Sequence, residues 1–201
     1  MTEEISNQKF ERLLKKSAKI TGKFPMIFRL NDDFLWTDYH MIIKDSIGLC
    51  NYFGNYILNK CIEKGYVCVL NPFDSPIIIA DILKKDENYF QHIKNLFNED
   101  TSKNKILSSP LEAVCVKNPF WNVEQRLLFV DGSSDTVRVD NQYLDYIKRR
   151  YEISTIYQGV NDMIGFKDNK NNTIAILMPI LKKDKDISQT QINLEGRLIT
   201  L

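Results

Sequence analysis

Apolar residues recur at helical spacing at two well-separated places and gather into short runs elsewhere. Between 6 and 21, Phe10, Leu13, Leu14, Ser17 and Ala18 fall on one side of a 3.6-residue period, which predicts an amphipathic helix. The opposite arc carries Lys9, Arg12, Lys15, Lys16 and Lys19, and Gly22 stands where a C-terminal cap belongs. Pro25 opens a β-rich stretch. Met26-Ile27-Phe28 and Phe34-Leu35-Trp36 flank the turn-forming Asn31-Asp32-Asp33, and a third strand, Met41-Ile42-Ile43, follows. The apolar residues of 47–70 fit either a helix through Tyr52–Glu63 or short strands, with a strand at Tyr66–Leu70. Residues 75–100 read as helical, first through Ile78, Ile79, Ile82 and Leu83, then through Tyr89, Phe90, Ile93, Leu96 and Phe97. A polar loop over 101–110 and strands at 112–117 and 126–130 are expected next.

The last third repeats the opening order. Asp140 suits the N-cap of a helix whose apolar side is Tyr143, Leu144, Ile147 and Tyr151, with Lys148, Arg149 and Arg150 around the remainder. Strands are expected at 153–158, 162–166 and 173–178, the last two joined by Asp168-Asn169-Lys170-Asn171-Asn172. A helix followed by three strands thus occurs twice. The expected fold class is α+β: one domain over 1–181 built from two helix-plus-three-strand units, with a helical insertion at about 71–110. The tail, 182–201, opens on Lys182-Lys183-Asp184-Lys185-Asp186 and reads as a mobile or surface segment, to which Leu198-Ile199 would add an edge strand.

Composition narrows the function classes. The 201 residues carry 27 Lys and Arg against 26 Asp and Glu, so no global field draws the chain to nucleic acid or an acidic membrane. Any such contact must come from local clustering. Cys50, Cys61, Cys68 and Cys115 form no C-x-x-C pair and point to reduced thiols rather than disulfides or zinc. The acidic start, without a signal-peptide pattern, and the absence of a membrane-length apolar run make the cytosol the expected compartment and a membrane partner unexpected.

Catalytic chemistry finds little support. His40 and His92 are the only histidines. Asp38 beside His40 reads as turn chemistry, in which the carboxylate accepts local backbone N–H bonds; a metal-dependent hydrolase around Asp38, His40 and Asp131 is the sharper alternative. Asp131-Gly132-Ser133-Ser134 between two strand runs is what a hairpin requires. No phosphate-cradling glycine loop, G-x-S-x-G or H-E-x-x-H occurs, so no catalytic residue, metal or cofactor is assigned. There remain two basic clusters, Lys9, Arg12, Lys15, Lys16, Lys19 and Lys148, Arg149, Arg150. Each is either a solvated helix face or part of a stripe that tracks phosphates without reading sequence.

Three segments resemble the DNA polymerase sliding clamp family in its bacterial form. Thr37-Asp38-Tyr39-His40-Met41 is similar to the clamp's Ala-Thr-Asp-Gly-His-Arg-Leu, with Tyr39 in place of the glycine; Val139-Asp140-Asn141-Gln142-Tyr143-Leu144 is similar to the segment that opens a clamp helix; Leu177-Met178-Pro179-Ile180 resembles its near-terminal Met-Pro strand. The resemblance covers mainly 9–45 and 126–181. It implies a clamp-like fold whose helices face DNA, contacts with replication or recombination proteins, and association of several copies, since bacterial clamp chains carry three such domains. A single domain of this kind suits a phage or mobile element. Two rival readings accompany it. One is a protein-interaction or inhibitor module without DNA binding, using 75–100 and its Tyr89, Phe90 and Phe97. The other starts from Gln125-Arg126-Leu127-Leu128-Phe129, which resembles the short peptide by which partners dock onto a clamp and would need to be exposed to act so.

Overall fold

The computed structural model describes residues 2–54, 58–59, 65–98, 104–108, 116–118, 123–133, 135–180, 191–194 and 197–200. The chain is α+β, with antiparallel strand pairing throughout, and divides into two compact units, Met1–Asn98 and Glu99–Leu201.

In the first unit α1 (Thr2–Thr21) buries Phe10, Leu13, Leu14, Ser17 and Ala18, the side expected from the spacing. It stops at Gly22, whose φ of 66° a residue without a Cβ adopts at no steric cost and whose N–H donates to Ala18 O at 2.9 Å. β1 (Met26–Leu30), β2 (Asp33–Thr37) and β3 (Met41–Lys44) form an antiparallel meander, with Leu30 opposite Asp33 across the first turn and Thr37 opposite Ile42 across the second pair. Ile27, Phe28, Leu35 and Trp36 are fully buried, so the meander is covered on both faces. Phe10 of α1 meets Trp36 edge to face at 5.5 Å between ring centroids.

Two expectations for 45–110 are corrected, and one helix is additional. α2 (Ser46–Phe53) precedes most of the helix expected through Tyr52–Glu63, of which residues 58 and 59 are helical while 55–57 and 60–63 lie outside the described residues; buried Asp45 caps α2 by accepting the Gly48 N–H at 3.1 Å and takes the Trp36 Nε1–H at 3.3 Å. β4 (Tyr66–Asn71) follows as expected, but the apolar run at 78–83 is not helical. It is β5 (Ile78–Lys84), paired along β4 and placed at the end of the sheet order β5-β4-β1-β2-β3. Apolar pairs at 78/79 and 82/83 suit one side of a helix or both faces of a strand, and the β-branched isoleucines tip the balance toward the strand. The helix in this region is α3 (Glu87–Phe97), capped by Asp86, which accepts the Tyr89 N–H at 2.8 Å. The loop expected over 101–110 contains β6 (Lys105–Ser108).

The second unit holds β7 (Val116–Asn118), β8 (Val123–Val130), β9 (Thr136–Asp140), α4 (Asn141–Arg150), β10 (Ile153–Gln158), β11 (Ile164–Asp168) and β12 (Thr173–Leu177). Its strands run in the order β12-β11-β10-β6-β8-β7, with β9 on β8. Asp131-Gly132 turns the β8–β9 hairpin, with Gly132 at φ 75°, and Asp140 caps α4 by accepting the Gln142 N–H at 2.9 Å. β10 to β12 form a second meander after a helix. Its middle strand starts later than expected, since Val160–Asp162 is a 3-10 turn. Gly165 sits opposite Tyr157, and a Cβ there would strike the Tyr157 ring, which is buried and shares a hydrogen bond with Thr173 Oγ1 at 3.3 Å. Within the tail, β13 (Gln191–Leu194) and β14 (Arg197–Thr200) pair as a hairpin; the basic run 182–185 lies outside the described residues.

Candidate nucleic-acid interface

The eight cations singled out in the sequence lie on two helices, five on α1 in the first unit and three on α4 in the second. On α1, burial of the apolar stripe leaves Arg12 and Lys19 exposed, while Lys9, Lys15 and Lys16 lie half-buried along its flanks with their stems against the protein. Lys15 pairs with Glu11 one turn earlier at 3.9 Å, in the favourable acid-before-base order. Among the described residues Arg12 and Lys19 form no ion pair.

On α4, Tyr143, Leu144, Tyr146 and Ile147 are buried, and the helix packs on β8 and β9. Lys148 and Arg149 are exposed in the last turn, where the helix dipole favours cations. Arg150 is turned back: its guanidinium lies 5.3 Å from the Tyr146 ring centroid and donates to the phenol oxygen at 3.3 Å. Partial burial, and then the charge of Arg126, pull the Lys148 ammonium below its ordinary pKa, with Asp145 acting the other way.

Arg126 is the functional candidate that helix periodicity could not reveal. It comes from β8, 22 residues before Lys148, and the only sequence signal is strand parity, which puts Arg126, Leu128 and Val130 on one face. Its Nε is buried and has no hydrogen-bond partner among the described residues. The two like charges act on one another across the packing of α4 on β8.

The other candidates resolve locally. Asp38 is buried and accepts the N–H groups of His40 and Met41, both at 3.0 Å, so its carboxylate shapes a turn. Asp131 is an exposed turn residue, and among the described residues no group of three His, Cys, Asp or Glu side chains could hold a metal ion. Cys50 and Cys68 are thiols, half-buried and buried; Cys61 and Cys115 lie outside the described residues. Gln125, Leu127 and Leu128 are buried within β8, so that segment is no exposed docking peptide. The aromatics of α3 turn inward: Phe97 is buried, while Tyr89 and Phe90 stand edge to face against Phe28. No described helix is long and apolar enough to cross a membrane. Comparison with protein-family models, with curated proteins and with solved structures gives no match for this chain.

Proposed function

We propose that this chain is a non-enzymatic, clamp-like binding protein that contacts DNA phosphates without sequence preference through α1 and α4. The observation that carries the reading is a repeated piece of construction. In each unit a helix leads into a three-stranded antiparallel meander, buries its apolar stripe and leaves cations outside. The likeness to the clamp segment gains support from Tyr39, which has a φ of 72° at the position where that segment carries glycine. The positive charge of Arg126, felt at Lys148, adds to the cationic character of the α4 side.

Fluorescence anisotropy with a labelled duplex at low salt tests this. Arg12→Glu combined with Lys19→Glu, and separately Lys148→Glu combined with Arg149→Glu, are each expected to weaken binding at least about tenfold, since each replaces two phosphate attractions by repulsions. All four positions are exposed, so the fold is expected to survive. Absence of binding by the unaltered protein, or affinity unchanged in both pairs, would overturn the reading.

A further inference from the structure

The open end of the first unit's strand order is β5, and its residues are ill suited to a free edge. Ile78, Ile82 and Leu83 are 49%, 46% and 39% exposed, and of Ile78–Lys84 only Ile79 is half-buried. A seven-residue edge strand with three isoleucines, exposed on both faces, is a template for another strand, and a protein that keeps such an edge single blunts it with charges or a bulge. β5 has both. Its register on β4 shifts between Val69 and Leu70, and Asp81, Lys84 and Lys85 stand along its second half.

The backbone of that second half is set for pairing. Lys85 N–H donates to Gly65 O at 2.9 Å, continuing the ladder of Lys84 with Tyr66, Leu83 with Val67 and Ile82 with Cys68. Antiparallel alternation then turns the N–H and C=O of Leu83 toward β4 and those of Ile82 and Lys84 outward. The Ile82 N–H is met only by its own neighbour, Asp81 Oδ1 at 2.8 Å, as befits a donor facing away from β4. Side chains alternate too: Asp81, Leu83 and Lys85 share one face, Ile82 and Lys84 the other. Among the described residues Asp81, Lys84 and Lys85 form no ion pair, and Lys85 Nζ lies 5.6 Å from the centre of the Tyr89 ring.

We propose that β5 is a dimerisation edge, which pairs antiparallel with β5 of a second copy about a two-fold axis through Leu83. One register satisfies backbone and charge together. With Leu83 opposite its own copy, the outward groups of Ile82 meet those of Lys84 of the second copy, and Asp81 faces Lys85 of the second copy on each side of the axis. A pairing centred on Asp81 would oppose two carboxylates, one centred on Lys84 two ammoniums, and one centred on Ile82 would leave Asp81 against Leu83. The charges that guard this edge against other strands thus select a second copy of itself. Two-fold pairing closes on itself, so it gives a dimer and not a ring or a fibre.

Sedimentation of the full chain over the micromolar range, without DNA, tests this, and a monomer–dimer equilibrium is expected. Lys84→Pro removes an N–H that β4 does not use, so it is expected to abolish the dimer while the melting curve shows the fold kept. Asp81→Lys and Lys85→Asp each set like charges opposite one another and are each expected to raise the dissociation constant of the dimer about tenfold, while the two combined restore it. A monomer at every concentration, a dimer indifferent to Lys84→Pro, an open-ended polymer, or two reversals that do not rescue each other would overturn the proposal. Because the measurement contains no DNA, its failure leaves the proposed DNA contacts standing, and a failure to bind DNA leaves the dimer standing.

Discussion

At the scale of single residues, the sharpest conflict between local preference and observed structure is Tyr39. Its left-handed backbone costs about 1 kcal/mol relative to glycine, and the hydrogen bonds from Thr37, Asp38 and Ser17 offset that cost. The side chain is 42% exposed, with its hydroxyl on Met26 Sδ and Lys23 Nζ over its ring. Tyr39→Gly is therefore expected to raise stability by about 0.5 kcal/mol, because the relief of strain outweighs the modest packing of the ring and the added freedom of the unfolded chain. Urea denaturation would show it as a higher midpoint at unchanged slope. A lower midpoint would mean that the ring contributes more to the fold than its exposure indicates. Composition and periodicity do not distinguish Tyr39 from an ordinary turn tyrosine; its φ value does.

Among the elements, those bounded by strong local signals are the ones that were legible. Gly22 and Pro25 closed α1, Asp140 opened α4, and Asn31, Gly132 and Asn171 sit at hairpin turns where they take positive φ, so both helix-plus-meander units could be read in order. β5 could not, because its apolar spacing fits two periods and pairing with β4 decides between them. β6 buries only Leu107 of its four residues and offered no alternation to detect. The basic faces of both helices were legible from spacing, while the influence of Arg126 on Lys148 depends on how α4 packs on β8. The helix caps differ in what they hold. Asp140 accepts at the exposed start of α4, so Asp140→Ala is expected to cost about 1 kcal/mol. Asp45 is buried and serves both Gly48 N–H and Trp36 Nε1–H, so Asp45→Ala leaves two donors unsatisfied and is expected to cost about 3 kcal/mol. Paired denaturation curves check this order, and a smaller loss for Asp45→Ala would refute it.

For the molecule as a whole, the near balance of 27 cations against 26 anions makes electrostatics a local matter. Long-range attraction is absent, so on the proposed reading DNA affinity rests on the phosphates that particular side chains neutralise, a number that can be measured. If Arg12, Lys19, Lys148 and Arg149 each neutralise one phosphate, log K against log salt should fall with a slope of about −3.6, and reversal of either helix pair should reduce it to about −1.8. The pH dependence should carry the signature of one site. Burial and Arg126 lower the pKa of Lys148, so this ammonium loses its proton before an ordinary lysine as the solution becomes alkaline. A bound phosphate favours the charged form, so duplex binding should weaken as pH rises through that lowered pKa, and Arg126→Gln should move the onset of weakening to higher pH. A slope near zero, or a pH profile indifferent to Arg126, would place the DNA contacts away from α4.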